Sequence, residues 1–284
     1  MTQDTRPYRS VLYIPGSKDR ALEKARNLPV DAIIFDLEDA VAIDEKENAR
    51  GTLKAALDQG GYGARVKIVR INALDTAWGA DDARAVADMD ADAVLLPKVD
   101  SAADVDALAA LIPGDLPIWA MMETPRGMLN AAEIAAHPRM AGFVMGTNDL
   151  AKELQSRFRA DRLPMIASLS LCLLAARAEG LVIVDGVFNA FKDGEGLQAE
   201  CDQGRDMGFD GKTLIHPAQV DITNNAFAPS EAEIDLARRQ IAAFEETEAA
   251  GGGVAVVDGK IVENLHVVTA RQILAKAEAI AALA

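Results

Sequence analysis

Eight short apolar runs, each followed by a stretch of helical spacing, constrain this chain more than any other feature. The runs cover residues 10–14, 32–37, 67–72, 93–98, 117–123, 142–147, 181–187 and 212–215. They are rich in Val and Ile and too short for core helices, the pattern of parallel strands buried on both faces. Helical stretches include 18–27, 45–58, 102–111 and 126–136. Ser17, Asp44 and the Asp100-Ser101 pair stand where N-caps belong, and Gly or Pro follows several helices, as at Ile112-Pro113-Gly114 and Glu179-Gly180. Eight such β/α units, filling residues 9 to about 228, predict an α/β fold of the (β/α)8 TIM-barrel type, with a catalytic domain over 1–228. A doubly wound open sheet would want a Gly-rich phosphate turn after an early strand, and Ile14-Pro15-Gly16-Ser17 lacks that glycine pattern.

Residues 229–284 follow a different plan. A helix over 229–249 leads to the joint Gly251-Gly252-Gly253, a hairpin around Asp258-Gly259 and a last helix over 266–283. This hairpin-and-helix arm is either a staple on the barrel's own surface or an extension that packs on a neighbouring subunit and places Glu263 in its site.

Charge narrows the function. The formal net charge is −15 and the pI near 4.6, which argues against nucleic acid and against a broad basic membrane face. A locally basic rim remains compatible with a small anionic substrate. No apolar run approaches the ~20 residues of a membrane span, and MTQDTRPYRS lacks the layout of a signal peptide. Cys172 reads as core, and Cys201 lies among acids on a helical stretch. Neither has metal-ligand spacing, so no disulfide framework is expected and a reducing cytoplasm fits.

A parallel barrel gathers its C-terminal strand ends at one rim, so ionisable residues that close apolar runs would share a pocket. Glu123 closes PIWAMMETP and Asp149 closes GFVMGTND. Two carboxylates suit Mg²⁺, or Mn²⁺ in its place, because such cations keep several waters and need few protein oxygens. The three histidines, His137, His216 and His266, show no zinc spacing. Arg70 lies inside an apolar strand and needs an anion: either a structural ion pair with Asp36 or Glu38, or a substrate carboxylate held by the guanidinium fork. Asp36, Glu38 and Asp39 would repel one another without a cation nearby, so they are expected around the metal, binding its waters or Arg70. Lys18 and Lys24, with Arg20 and Arg26, form either a solvated face or a phosphate grip beside the mouth. His216 either orients a substrate or caps the last strand. No G-x-S-x-G elbow occurs, which disfavours a serine acyl-enzyme.

RSVLYIPGSKDRALEKA, AIIFDLEDAV, METPRGMLNAAEIA, VMGTNDLAKEL, GFDGKTLIHPAQV and VAVVDGKIVENLH together resemble the citrate lyase β-subunit-like family of CoA-ester enzymes, within the HpcH/HpaI aldolase superfamily. The resemblance covers nearly the whole chain, with the motifs in the same order. It implies a Mg²⁺-dependent barrel forming homotrimers or homohexamers, with the metal on Glu123 and Asp149 and substrate on Arg70. It also implies an acyl-CoA ester bound near Tyr13, Lys18 and Lys24, with Asn148, Ile215 and His216 lining the pocket. Malyl-CoA lyases of this family carry an aspartate in the C-terminal arm, donated across the subunit interface as acid/base; the matching position here is Glu263. One extra methylene moves that carboxylate by over ~1 Å, a displacement able to cost roughly 10²-fold in a positioned step. Within the family the chain resembles most the branch that hydrolyses the malyl-CoA thioester, and this glutamate favours that hydrolysis over cleavage. Carbon–carbon cleavage to glyoxylate or pyruvate plus acetyl-CoA is the alternative.

Overall fold

The structure, a computed structural model, describes residues 6–283 and divides into two compact units. One unit is Tyr8–Phe227; the other takes in the segment from Ala228 onward with the described residues ahead of Tyr8. In the first, β1 (Ser10–Pro15), β2 (Ala32–Asp36), β3 (Val66–Arg70), β4 (Ala93–Leu96), β5 (Ile118–Met122), β6 (Met140–Met145), β7 (Val182–Asp185) and β8 (Gly211–Leu214) form a closed barrel. Each strand pairs parallel with the next, and β8 returns to β1. This is the TIM-barrel fold expected from the eight runs.

Alternate residues of the strands part into two buried clusters, as a period of two requires. Val11, Ala32, Ile34, Ile68, Leu95, Trp119, Met121, Val144 and Val184 form the smaller cluster, which contains no helix residue and fills the barrel. Leu12, Ile33, Phe35, Val69 and Val94 face outward and pack against helix residues such as Leu22, Leu53 and Leu57. Trp119 is wide enough to claim a neighbour's space: a Cβ on Gly142 of β6 would lie 2.6 Å from its indole ring. The pairing of β5 with β6 shifts register at that point.

Several expected boundaries move, each for a local reason. The run 93–98 leaves the sheet after Leu96, because Lys98 adopts a left-handed backbone with φ of 52°. The run 142–147 ends at Met145, and Asp149 lies in the first turn of the helix Thr147–Glu153 instead of closing a strand. The single helix expected over 126–136 is two, Pro125–Leu129 and Ala131–Ala135, parted at Asn130, whose side chain donates to the Asp100 carbonyl at 2.8 Å. Ser17 does not cap the first helix. Lys18 occupies the N-cap of Asp19–Ala25, and the Ser17 Oγ is buried without a hydrogen-bond partner. Ser101 does cap Ala102–Ala109, with its N–H and hydroxyl both donating to Asp104. Cys172 and Cys201 are both buried and free.

In the second unit the helix Glu231–Ala249 is followed by β9 (Ala255–Val257), β10 (Lys260–Val262) and the helix Asn264–Ala281. Asp258 and Gly259 both take positive φ, 51° and 74°, as a two-residue type I′ hairpin demands. Ala255, Val262 and Val267 make its core against Ile241 and Phe244. Val256, Ile261, Leu265 and Val268 are exposed.

Candidate active site

Strand parity and register assemble the mouth of the barrel. Val11, Ile34, Ile68 and Met121 point inward, so Tyr13, Asp36, Arg70 and Glu123, each two residues further on, take the same inward parity at the C-terminal ends. Asp36 and Arg70 are direct register partners across β2 and β3. Arg70 Nε and Nη2 donate to the two Asp36 oxygens at 2.8 and 2.7 Å, and Nη1 stands 2.8 Å from Glu38. Its guanidinium also lies 4.9 Å from the centre of the Tyr13 ring. Burial works against the Arg70 charge, yet Asp36 and Glu38 outweigh it and hold the group firmly protonated.

Asp36 accepts two further hydrogen bonds, from the backbone N–H of Glu38 and of Ala40, both at 2.9 Å. With four bonds its lone pairs are filled, so no oxygen of Asp36 is left for a metal-bound water. Asp39 is exposed, 3.6 Å from Arg70. The acids of FDLED thus surround Arg70, and the structural ion pair entertained for Arg70 is present. A substrate carboxylate cannot use the Nε–Nη2 fork that Asp36 fills; it would have to share the Nη1 side with Glu38. Burial pushes the Glu38 carboxyl up to about 8, with Arg70 opposing and Asp39 and Glu123 adding repulsion. Burial likewise holds the Tyr13 phenol well above its usual range, and its hydroxyl donates to Met121 Sδ at 3.4 Å.

Glu123 follows directly on β5 and is 2% exposed. Its Oε1 accepts from the Lys98 backbone N–H at 2.8 Å, a bond that the left-handed turn at Lys98 makes available. Sequence patterning could not reveal that contact, because lysine carries no signal for a left-handed backbone. Gly146, the residue after β6, is equally specific: a Cβ there would lie 2.5 Å from Glu123 Oε2. Burial pushes the Glu123 carboxyl up to about 7 against the Lys98 hydrogen bond and Arg70, and Asp149 adds repulsion. Asp149 is half-buried, and its carboxylate makes no hydrogen bond or ion pair among the described residues. Two carboxylates that repel each other, one in a dry setting, are what a divalent cation would relieve. Among the described residues no group of three or more His, Cys, Asp or Glu could hold a metal by itself. The donor set therefore fits a hard cation that keeps its waters, and does not fit structural zinc.

The remaining expected residues lie around this mouth or apart from it. Asn148 exchanges hydrogen bonds with Asn189 at 2.7 and 3.2 Å. Ile215 is exposed just past β8, and the exposed His216 ring stacks on Phe191 at 4.6 Å while Nδ1 accepts from the Ala218 N–H. Lys18 and Lys24 are exposed, the first at the N-cap and the second within the helix Asp19–Ala25. Glu263 belongs to the C-terminal unit, where it is the exposed N-cap of Asn264–Ala281 and its N–H donates to His266 Nδ1 at 3.0 Å. Sequence reading missed Asn189 and Phe191; their place in the loop after β7 was the available signal, since such loops carry function in barrels.

A closed parallel barrel whose mouth gathers carboxylates around a buried arginine defines a class of TIM-barrel enzyme acting on anionic substrates. The chain belongs to the HpcH/HpaI aldolase/citrate lyase family, whose model matches residues 9–217. A model of C–C bond lyases of the TIM-barrel fold also matches residues 162–281. The chain is 72% identical to a (3S)-malyl-CoA thioesterase of Cereibacter sphaeroides, over 99% of each chain. It is 36% identical to the citrate lyase subunit beta of Escherichia coli, over 96% of this chain and 94% of that one. Among solved structures, CitE from Mycobacterium tuberculosis in complex with magnesium, acetoacetate and coenzyme A aligns with a TM-score of 0.82 and 34% identity, covering 96% of this chain and 99% of that one.

Proposed function

We propose that this enzyme hydrolyses the thioester of (3S)-malyl-CoA to malate and free CoA, with Mg²⁺, or Mn²⁺ in its place, held by Glu123 and Asp149. The choice of bond rests on the 72% identity to a (3S)-malyl-CoA thioesterase along the full length of both chains. The metal reading rests on the repelling Glu123–Asp149 pair and on the magnesium in the related CitE structure. When bound, the cation supplies Lewis-acid charge to the oxygens of the substrate. The chain's own residues do the rest. Arg70, fixed by Asp36, presents its Nη1 side to a substrate carboxylate or to the thioester carbonyl, where charge develops as water attacks. Tyr13, Lys18 and Lys24 bind the CoA ester, and Asn148, Ile215 and His216 shape the pocket around the acyl group. Glu263 takes the proton of the attacking water. It is donated by the arm of a neighbouring subunit in a homotrimer or homohexamer, and the exposed Val256, Ile261 and Leu265 near it are the apolar surface such an arm needs.

The domains we propose are a catalytic barrel over 1–228 and an arm over 229–284. Among the described residues no helix is long and apolar enough to cross a membrane. With two free, buried cysteines, we place the protein in the cytoplasm.

A second reading, carbon–carbon cleavage of a β-hydroxyacyl-CoA, is favoured by the similarity to citrate lyase subunit beta. Incubation with (3S)-malyl-CoA separates the two. Hydrolysis releases free thiol and malate without glyoxylate, whereas glyoxylate with acetyl-CoA would overturn the first reading.

A further inference from the structure

Lys212 is fully buried, and it stands outside the barrel instead of within its mouth. It shares the outward parity of Leu214 on β8, as Asp185 shares that of Ile183 on β7. Every N–H of the ammonium has an acceptor: Glu200 Oε1 at 2.6 Å, the Gly186 carbonyl oxygen at 2.5 Å and Asp185 Oδ2 at 3.2 Å. Asp185, also fully buried, accepts twice from Arg162 Nη1, at 2.8 and 2.6 Å. Burial works against the Lys212 charge, yet Asp185 and Glu200 outweigh it. Two cations and two anions thus fill a place between β7, β8 and the helix Gly194–Met207 where aliphatic side chains would pack. Apolar residues of equal volume commonly hold such a place as firmly, so stability alone does not account for the cluster.

What the cluster holds is the segment beside the helix that carries Asp149. Gly186 follows β7, and both its backbone polar groups are tied to the cluster: its N–H donates to Asp185 Oδ1 at 2.8 Å, and its carbonyl accepts from Lys212. Gly186 in turn lies against Thr147, the first residue of that helix. A Cβ on Gly186 would come within 2.7 Å of Thr147 Cγ2 and 2.9 Å of the Met145 carbonyl oxygen, so only glycine permits this approach. Arg162 ends the loop that leaves the same helix. It takes a left-handed backbone, φ 51° and ψ 21°, uncommon for a long side chain, while its guanidinium is held by Asp185 and by Gln203. The helix Thr147–Glu153 is therefore tied at its start through Gly186 and beyond its end through Arg162, both times to one buried cluster.

We propose that Lys212 is a positioning residue for the metal site: acting through Gly186 and Thr147, it fixes where the helix bearing Asp149 begins and hence where that carboxylate stands. Asp185 and Arg162 complete the device. The cluster lies outside the barrel, so it works through the backbone and not as a ligand. The inference rests on Glu123 and Asp149 as the ligands of the cation, and deepens that reading by naming what aims the second of them.

Dissociation of Mn²⁺ from the full chain, followed by the electron paramagnetic resonance of the free ion, tests this without turnover. Lys212→Met keeps the length of the side chain and leaves Asp185 its partner Arg162. It should raise the Mn²⁺ dissociation constant by roughly 10- to 100-fold, in protein that circular dichroism shows to be folded. Thr147→Ala, which cuts the link and leaves every charge in place, should also weaken Mn²⁺. Adding Lys212→Met to it should then cost less than the product of the two single effects. Asp31→Asn loosens a buried pair with Arg9 at the opposite, N-terminal end of the barrel. It should lower the melting temperature with Mn²⁺ affinity unchanged. Should Lys212→Met fail to fold, Glu200→Gln, which removes one counter-charge of the ammonium from a half-buried position, carries the test with the same sign. Wild-type Mn²⁺ affinity in the folded variant, full multiplication with Thr147→Ala, or equal weakening in Asp31→Asn overturns the proposal. Wild-type affinity in Asp149→Asn would instead overturn the metal reading beneath it.

Discussion

Glu123 shows how one residue couples burial to ligand binding. Its carboxyl stands at about 7, raised from an ordinary carboxylate value near 4.5 by burial. The sign follows directly. The folded chain prefers the protonated acid, so this preference is fully present below the unfolded value and is lost as pH rises through about 7. Above that, the ionised group opposes folding by roughly 3 kcal/mol until a cation relieves it. The stabilisation conferred by Mg²⁺ should therefore grow between about pH 6 and pH 8. Glu123→Gln should abolish that growth and raise the melting temperature of the metal-free protein at the upper pH. A metal-induced shift independent of pH, or unchanged in the variant, would count against Glu123 as a ligand. The residue was legible from sequence as an acid closing an apolar run. Its hydrogen bond from Lys98 was not, since it arises from a left-handed turn in a different loop.

At the level of elements, the strands were readable because burial on both faces leaves near-continuous Val and Ile. Their ends were less so: Pro97 is a signal against continuing β4, but Lys98 carries none for the left-handed backbone that follows. The break at Asn130 was also hidden: it depends on a side-chain bond to Asp100, thirty residues away in the chain. Packing between β5 and β6 yields a prediction at this scale. Gly142→Ala places a methyl 2.6 Å from the Trp119 ring, so it should destabilise the barrel by about 1–3 kcal/mol, read by denaturant unfolding. Gly142→Ala combined with Trp119→Leu should recover part of that loss. If the single variant unfolds at the wild-type midpoint, Trp119 does not fill the barrel as described. Gly146→Ala belongs to the same class but acts on the site: its methyl would press on Glu123 Oε2 and should weaken Mg²⁺ binding more than it lowers stability.

At the scale of the whole molecule, the barrel and the C-terminal arm pose the question of where the proton acceptor comes from. Glu263 is exposed on an N-cap in one unit, while Arg70 and Glu123 lie in the other. Glu263→Gln should lower kcat for hydrolysis by roughly 10² or more, leaving the Mg²⁺-induced thermal shift intact. If arms are exchanged between subunits, mixing Glu263→Gln chains with Glu123→Gln chains under subunit exchange should restore a fraction of activity, because some sites then hold both native residues. Mixtures as inactive as their components would mean that each arm serves its own barrel.

The central claim, that a divalent cation sits between the acid that follows β5 and the acid in the helix after β6, is open to direct measurement. Crystals grown with Mn²⁺ and a malyl-CoA analogue, with data collected at a wavelength where manganese scatters anomalously, should show one strong peak bonded to both Glu123 and Asp149. A site without such a peak in crystals of enzyme that still turns over, or a peak held by other side chains, would contradict it.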